Sequence, residues 1–361
     1  EWDDGDPTIL SSIKDCSFIG NSAKAGGGGL FTEKPLSIIN TTFSGNSTDV
    51  NGGAIWSYIE LSIANCTFSD NKAPKAFGGA ISARDKLAVV NSVFRNNSSK
   101  AGNPDIHTEI SSATATLQHC VIKEGGAGGD GAITSSDIFT GDPKFLTASP
   151  DDNGGPVPTM AVSAGGSAYR NGLAPGAHEI GGVSVTVPAA DARGVSFDVT
   201  SADIGAYAWK AEGFSVSGSL ELAAGASADL APYAEAKLVS TDVRDTNAGR
   251  AAVWTSVNTG VATVADGVAS GVARGKTTLT ASFGTVSGSL PVTVLAAHGD
   301  VTEERMTDIP DANGYGSGVI AVSSDARESI AIYDALGLLS ADQKLPANID
   351  PTAKPIDASS V

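Results

Sequence analysis

Apolar and polar positions between residues 11 and 125 come in short bursts that return on a fixed period. A phenylalanine recurs as Phe18, Phe43, Phe68 and Phe94, with Ile122 as a diverged fifth, in steps of 25 to 28 residues. Five residues before it stand Ile13, Ile38, Ile63, Val89 and Leu117, and seven before it Ser11, Leu36, Leu61, Leu87 and Ala115. Three residues after the first four anchors come Asn21, Asn46, Asn71 and Asn97. The period is too short for a propeller blade, and a composition rich in Ser, Thr, Asn, Gly and β-branched residues does not suit a helical solenoid. Short strands wound into a coil fit, with like residues stacked about 4.8 Å apart on successive turns. The Phe, Ile and Leu columns then fill the axis. The Asn column lies at a bend, where each carboxamide can donate to and accept from its copies; ordinary turn composition is the alternative reading of those asparagines.

The second half of each unit carries a glycine pair before an apolar residue: Gly28-Gly29-Leu30, Gly52-Gly53-Ala54-Ile55 and Gly78-Gly79-Ala80-Ile81, replaced by Asn103-Pro104-Asp105-Ile106 in the fourth. With its FxxN and GGAI elements in joint register, the stretch from about 8 to 125 resembles the polymorphic outer-membrane-protein type repeat of the pectate-lyase-like superfamily. That resemblance implies a right-handed parallel β-helix.

Between the apolar columns stand small residues: Ser12, Ser37, Ser62, Ala88 and Thr116 in one column, Ser17, Thr42, Thr67, Val93 and Val121 in another. They are expected to form a flat outer wall. Cys16, Cys66 and Cys120 share a third column with Thr41 and Ser92. Neighbouring cysteines two turns apart are separated by about 9 to 10 Å, beyond the Cα spacing of a disulfide. They are expected to be buried thiols that neither cross-link nor bind metal.

Past the coil, Asp142-Pro143-Lys144-Phe145, Asp152-Asn153-Gly154-Gly155-Pro156, Gly166-Ser167-Ala168, Asp191-Ala192-Arg193-Gly194 and Asp203-Ile204-Gly205-Ala206-Tyr207 follow in an order that resembles the choice-of-anchor Q segment. The expectation is a turn-rich cap over the open solenoid end. Asp151, Asp152 and Asn153 are the candidate calcium ligands, but the run also suits a solvated turn. Asp191 and Arg193 are a candidate acid–base pair, or a structural ion pair. From Phe214 to Leu295 alternating strands marked by Val216, Leu220, Leu222, Leu230, Leu238, Val253, Val261, Val264, Val268, Leu279, Val286, Val292 and Val294 lead through Trp254 to Pro291-Val292-Thr293-Val294. That order resembles the bacterial Ig-like group 2 domain, which implies a small antiparallel sandwich with Trp254 as a core anchor. Beyond it an acidic segment suggests one helix after Asp325, with Glu328 at its first turn and Ile330, Tyr333 and Leu336 on one face, then a linker.

The resulting plan is all-β: β-helix repeats over 1–147, a cap over 148–212, an Ig-like domain over 213–297 and an acidic tail over 298–361. A formal charge of −17 and a pI near 4.5 argue against nucleic acid or an anionic membrane as partner. No apolar run reaches 18 residues, so no membrane insertion within this chain is expected. The opening EWDDGDP reads as the start of a fragment or mature piece. No metal, cofactor or catalytic residue is assigned, because no column of the coil is read as repeating Asp or Glu on neighbouring turns, and Asp49, Asp70 and Asp85 are scattered over different columns. The reading is a non-enzymatic, adhesin-like or structural module, secreted or on a bacterial cell surface, with a glycan or a host or neighbour surface protein as partner. The alternative is a polysaccharide lyase or glycoside hydrolase with its catalytic coils upstream of Glu1. A third reading makes the Ser/Thr wall an ice or glycan binder.

Overall fold

A computed structural model of the 361-residue chain describes residues 11–100, 105–239, 241–283 and 286–295, together with the backbone of 303–304, 319–321 and 331–333. The described residues divide into two units, Glu1–Ser215 with Ala234–Ala251, and Val216–Tyr233 with Ala252–Val361.

The first unit is built on a parallel β-solenoid of about five turns. The first four turns each contribute to three sheets, and the fifth to the first and third. In the first sheet, Ser11–Lys14, Leu36–Ile39, Leu61–Ala64 and Lys86–Val90 pair in parallel along one arm. Ser17–Ile19, Thr42–Ser44, Thr67–Ser69 and Val93–Arg95 pair along the other. The longer strand Thr114–Ile122 spans both arms and pairs with Ala132–Phe139. Two-residue strands Ser22–Ala23, Ser47–Thr48, Lys72–Ala73 and Ser98–Ser99 make the second sheet. Leu30–Thr32, Ile55–Ser57, Ile81–Ala83, Ile106–Thr108 and Ala127–Gly129 make the third.

The columns read from the sequence are the register of these sheets. Phe18 pairs with Phe43, Phe43 with Phe68, Phe68 with Phe94, and Phe94 with Ile122. Their rings stack face over face with centroids 4.8, 5.1 and 4.9 Å apart and planes within 5°, the spacing that strand pairing imposes. Phe43, Phe68 and Phe94 are fully enclosed with Ile38, Ile55, Leu61, Ile63 and Ile81. The second column forms a continuous ladder. Asn21 donates from backbone N and from Nδ2 to Asn46 Oδ1, at 3.0 Å each, and Asn46 repeats both bonds to Asn71, and Asn71 to Asn97. Each Nδ2 of Asn46, Asn71 and Asn97 also donates to a carbonyl of the turn below, those of Phe18, Phe43 and Phe68. No amide hydrogen of the three buried side chains is left without an acceptor, which is what allows them to be buried.

The ladder ends where the glycine pair is lost. Asn97 Nδ2 donates to Asp105 Oδ1 at 2.9 Å, while Asp105 Oδ2 is buried without a partner. Burial, with a smaller contribution from Glu124, pushes the Asp105 carboxyl up to about 7.

A further column, made of left-handed residues, is not among the sequence expectations. Asp15, Asn40, Asn65, Asn91, His119 and Asp137 all have φ between 48° and 53°, and they bend the first sheet between its arms. Asparagine and aspartate tolerate this region better than other residues with a Cβ. Segment 165–209 docks onto that bend. Asn40 Nδ2 donates to Ala190 O, Asn65 Nδ2 to Asp203 O, and Asn91 Nδ2 to Leu173 O while Asn91 Oδ1 accepts from Leu173 N. The antiparallel hairpin of Gly176–Ile180 and Val183–Val187 lays Ile180, Val183, Val185 and Val187 against Ala64, Ala88 and Val90. The segment expected to cap the solenoid end therefore runs along its flank. It covers the hydroxyl wall: Thr42, Ser62, Thr67, Ala88 and Val93 are all buried. Thr67 Oγ1 accepts from Ala206 N, while Thr42 Oγ1 and Ser62 Oγ are buried without a partner. Small residues are needed there so that a second layer can approach, not to present hydroxyls to solvent.

Inside this flanking segment Arg193 and Asp191 form a buried ion pair at 2.6 Å. Arg193 also donates to the carbonyls of Ala208, Asn153 and Val239 and lies 3.7 Å from the Tyr207 ring centroid. Asp245 accepts from Ser163 Oγ, Ala164 N and Trp209 Nε1, which ties strand Arg244–Asp245 and its neighbour Ala234–Leu238 into the first unit.

Between Leu220 and Leu295 the second unit forms two sheets; a further antiparallel sheet joins Glu303–Glu304, Val319–Ala321 and Ala331–Tyr333. Leu220–Ala223 runs parallel to Val286–Leu295, which pairs antiparallel with Gly275–Phe283 and through it with Val253–Ser256. The other sheet orders Ser227–Asp229, Val268–Gly271 and Ala262–Ala265 antiparallel. Leu220, Leu222, Leu230, Leu279, Val292 and Val294 are buried with Trp254. Val253, Val268 and Val286, expected in that core, are exposed, and Ala262, Ala269, Ala281 and Leu290 are buried instead: with Trp254 inward, strand alternation turns Val253 outward. The helix expected after Asp325 falls mostly outside the described residues, and its described part, Ala331–Tyr333, is a strand. The expected linker at the C-terminus also lies outside them.

All three cysteines are free. Cys66 and Cys120 are buried and burial pushes both thiols up to about 12. Cys16, expected to be buried like them, is half-buried, because it stands on the first described turn. A thiol reagent is expected to label Cys16 under native conditions and Cys66 and Cys120 only in denaturant; rapid native labelling of all three would contradict the column.

Removing the Phe68 ring is expected to cost about 3 to 5 kcal/mol, whereas Ser62→Ala, which deletes an unpaired buried hydroxyl, is expected to be neutral or slightly stabilising. Equal losses in urea unfolding would show the inward and outward positions to be misassigned.

Asp105 makes the solenoid pH-dependent. Its folded carboxyl stays protonated up to about pH 7 while the unfolded one ionises near 4, so its contribution is fully present below pH 4 and is lost as pH rises toward 7. Asp105→Asn keeps the acceptor for Asn97 and removes the charge. Thermal melts from pH 4 to 8 should show a shallower loss in the variant than in the wild type, and parallel profiles would refute the assignment.

Candidate functional site

The expected acidic candidates are held by local structure. Asp151 Oδ1 accepts from Asp152 N and Asp152 Oδ1 from Gly154 N, while the Asn153 side chain is buried against Thr159. With Asp242 and Thr241 these acids line a shallow hollow of about 430 Å³. Among the described residues no three His, Cys, Asp or Glu side chains are grouped to hold a metal ion. Asp191 and Arg193 are sealed in the ion pair described above. Asp49 bridges to Lys75 at 2.8 Å and Asp70 accepts from Ser69 Oγ at 2.6 Å, on separate columns.

Aromatic and charged side chains gather on the outer face of the third sheet, a place that counting from the phenylalanines does not single out. Its strands are paired so that Phe31, Trp56, Ser82 and His107 stand side by side on successive turns. Each follows the apolar residue that points into the core: Leu30, Ile55, Ile81 or Ile106. Strand alternation therefore sends them outward. Directly beyond the strands Tyr58, Arg84 and Glu109 form a second row, fixed by backbone bonds from each N to the carbonyls of Thr32, Ser57 and Ala83 on the turn before.

The rings of Phe31, Trp56 and Tyr58 pack as one cluster. Phe31 lies 5.4 Å from Trp56 and 5.2 Å from Tyr58, and Trp56 meets Tyr58 edge-on at 4.9 Å. Gly26, at φ 117°, passes beneath Trp56 so closely that a Cβ there would sit 2.1 Å from the indole; only glycine leaves room for it. Glu109 organises the polar side. Its Oε1 accepts from Trp56 Nε1, from Asn51 Nδ2 at 3.0 Å and from Ser82 Oγ at 2.8 Å, and its Oε2 faces Arg84 Nε at 3.4 Å. The Arg84 guanidinium lies 4.5 Å from the Tyr58 ring centroid. Phe77 stacks on His107 at 4.4 Å, and burial lowers the imidazole below its ordinary value.

This face also corrects the expected absence of neighbouring acids. Glu109 and Asp130 directly follow the paired residues Thr108 and Gly129, so two carboxylates do stand on adjacent turns. Counting from the phenylalanine hides them, because Glu109 is 15 residues beyond Phe94 and Asp130 only eight beyond Ile122. The connections between sheets differ in length from turn to turn, so a column fixed in one sheet loses register in another. The aromatic row did leave a signal, the residue after each inward apolar residue of the glycine motif.

With the turns laid out, the comparison with known sequences falls on structural units. No curated protein matches the chain. Residues 15–33, 40–58 and 65–84 match the family model of the Chlamydia polymorphic membrane protein repeat. Each matched stretch begins at a left-handed bend residue, Asp15, Asn40 or Asn65, passes the stacked phenylalanine and the ladder asparagine, and ends in or just past the third-sheet strand. Three successive turns of this solenoid are thus similar to the Chlamydia polymorphic membrane protein repeat.

Proposed function

We propose that the chain is a surface-displayed bacterial module that binds without catalysing a reaction, an adhesin-like element carried on a rigid solenoid. The observation that carries this reading is the outer face of the third sheet, where exposed Phe31 packs on half-buried Trp56 and Tyr58, and Glu109 and Arg84 hold those two rings in place. Rings held on paired strands lose little conformational freedom when a partner arrives. The family model matched by three turns is named for a membrane protein of Chlamydia, which supports a place at the outer surface of a bacterium. The flanking segment, similar to choice-of-anchor Q, stiffens the solenoid by covering its side. The two sheets that the second unit forms between Leu220 and Leu295 suit the Ig-like reading, in which that unit is a spacer.

One observation favours a second reading, a glycoside hydrolase: Glu109 and Asp130 stand on neighbouring turns beside aromatic rings, and such enzymes work with paired carboxylates. Against it, Glu109 is engaged by four neighbours and holds Trp56 and Arg84 in place. Incubating the purified chain with polygalacturonate, alginate, chondroitin and neutral glycans, with and without calcium, is expected to give neither unsaturated product nor new reducing ends, while the chain retains saturable binding to cells. Turnover that survives repurification and is abolished by Glu109→Gln or Asp130→Asn would overturn the binding-module reading in favour of the enzyme.

A further inference from the structure

We propose that the third-sheet face centred on Phe31, Trp56, Tyr58 and Phe77 is a binding site for a neutral glycan; this rests on the surface-module reading and names its ligand class. Phe31 is 44% and Phe77 40% exposed, and they are the exposed aromatic side chains among the described residues of the solenoid, where Ile19 and Ile110 are the other large apolar residues open to solvent. The rings of Phe31, Trp56 and Tyr58 meet at a tilt or edge-on instead of stacking, with Arg84 over Tyr58 and Gly26 beneath Trp56, and Phe31 is the most open of the three. A ligand that presents a flat C–H surface and a rim of hydroxyls, as a hexopyranose ring does, matches such a platform: ring faces take the C–H side and fixed polar groups take the rim. The polar groups are present. Arg84 is bound through Nε and its side chain is 39% exposed, which leaves the outer edge of the guanidinium as a donor. Glu109, taken up by its own four neighbours, serves to hold Trp56 and Arg84 in position for the ligand.

Charge decides between glycan classes. Arg84 is paired with Glu109 and nearby Lys75 with Asp49, and the chain carries a formal charge of −17. A uronate or sulfated chain would find repulsion and no free cationic cluster, whereas an uncharged glycan incurs no such cost. Binding to a neutral chain should accordingly be insensitive to salt.

The test is titration of the full chain with mannohexaose, chitohexaose and laminarihexaose, read by calorimetry and by tryptophan emission, with heparin as the anionic comparison. The expected result is saturable, salt-insensitive binding to at least one neutral hexasaccharide and none to heparin. Tyr58→Ala and Phe31→Ala should each weaken it by about tenfold, the equivalent of losing one aromatic contact, with unfolding temperatures close to that of the wild type. Trp56→Phe, which keeps a ring over Gly26, should abolish the emission change, distinguishing this site from Trp209 and Trp254. Absence of binding across an array of neutral glycans would overturn the proposal. So would heparin binding, equal affinity in the wild type and a Phe31→Ala/Tyr58→Ala double variant, or binding through these rings to fibronectin or collagen alone. Cell adhesion unchanged in the double variant would overturn this site and leave the surface-module reading standing. Glycan turnover lost in Glu109→Gln would do the opposite, retaining the glycan on this face and removing the non-enzymatic reading.

Discussion

Everything in the first unit depends on register between turns, and the asparagine ladder is the interaction that enforces it. Each Oδ1 of Asn46, Asn71 and Asn97 accepts two hydrogen bonds from the turn below, one from the backbone and one from a side chain. A one-residue slip of any turn would break both and strand a buried carboxamide, at a cost of several kcal/mol. Backbone pairing alone tolerates slippage more readily. The stacked phenylalanines add dispersion and burial, but an apolar column accepts substitutes, as Ile122 beyond Phe94 shows. The ladder has no asparagine on the fifth turn, where Gly125 stands, and Asn97 donates instead to Asp105, which keeps one buried oxygen without a partner and a carboxyl that resists ionisation.

Register in turn generates the two outer surfaces. On one side the left-handed column of Asn40, Asn65 and Asn91 uses its side chains to hold a separate segment of the chain, and the small residues between them admit a second apolar layer. On the other side strand alternation lifts Phe31, Trp56, Ser82 and His107 into a row whose spacing is that of the turns. The same asparagine chemistry serves two ends: along the axis it joins turn to turn, and at the bend it joins the solenoid to its flank. The flank is closed by a second layer, and the aromatic face is the side on which rings stay exposed.

Much of the coil was legible because a repeat states its own contacts: residues that recur at 25 or 26 positions must be neighbours if the chain winds. That logic placed Phe18 through Phe94 and Asn21 through Asn97 correctly. It failed wherever a second part of the chain was involved. Ser62 and Thr67 looked like an outer wall because nothing local distinguishes a small polar residue facing water from one facing another layer. The Glu109 and Asp130 neighbourhood escaped because the loops between sheets vary in length. In the second unit the apolar count was a sound guide to strands but not to their faces, and Val253 shows why: in a short strand beside a tryptophan, either alternation is compatible with composition.

What the sequence determined by itself is the solenoid, its turn length, its axial columns and the thiols that pack among them, because each of these follows from like residues meeting like residues at a constant interval. Only the tertiary structure decided which outer surface is covered and which is open. That choice depends on where residues 165–209 return, more than 50 positions beyond the turns they touch, and on hydrogen bonds from Asn65 and Asn91 to carbonyls that no local pattern announces. Long-range docking is specified by the fit of two surfaces, and a fit cannot be read until both surfaces exist.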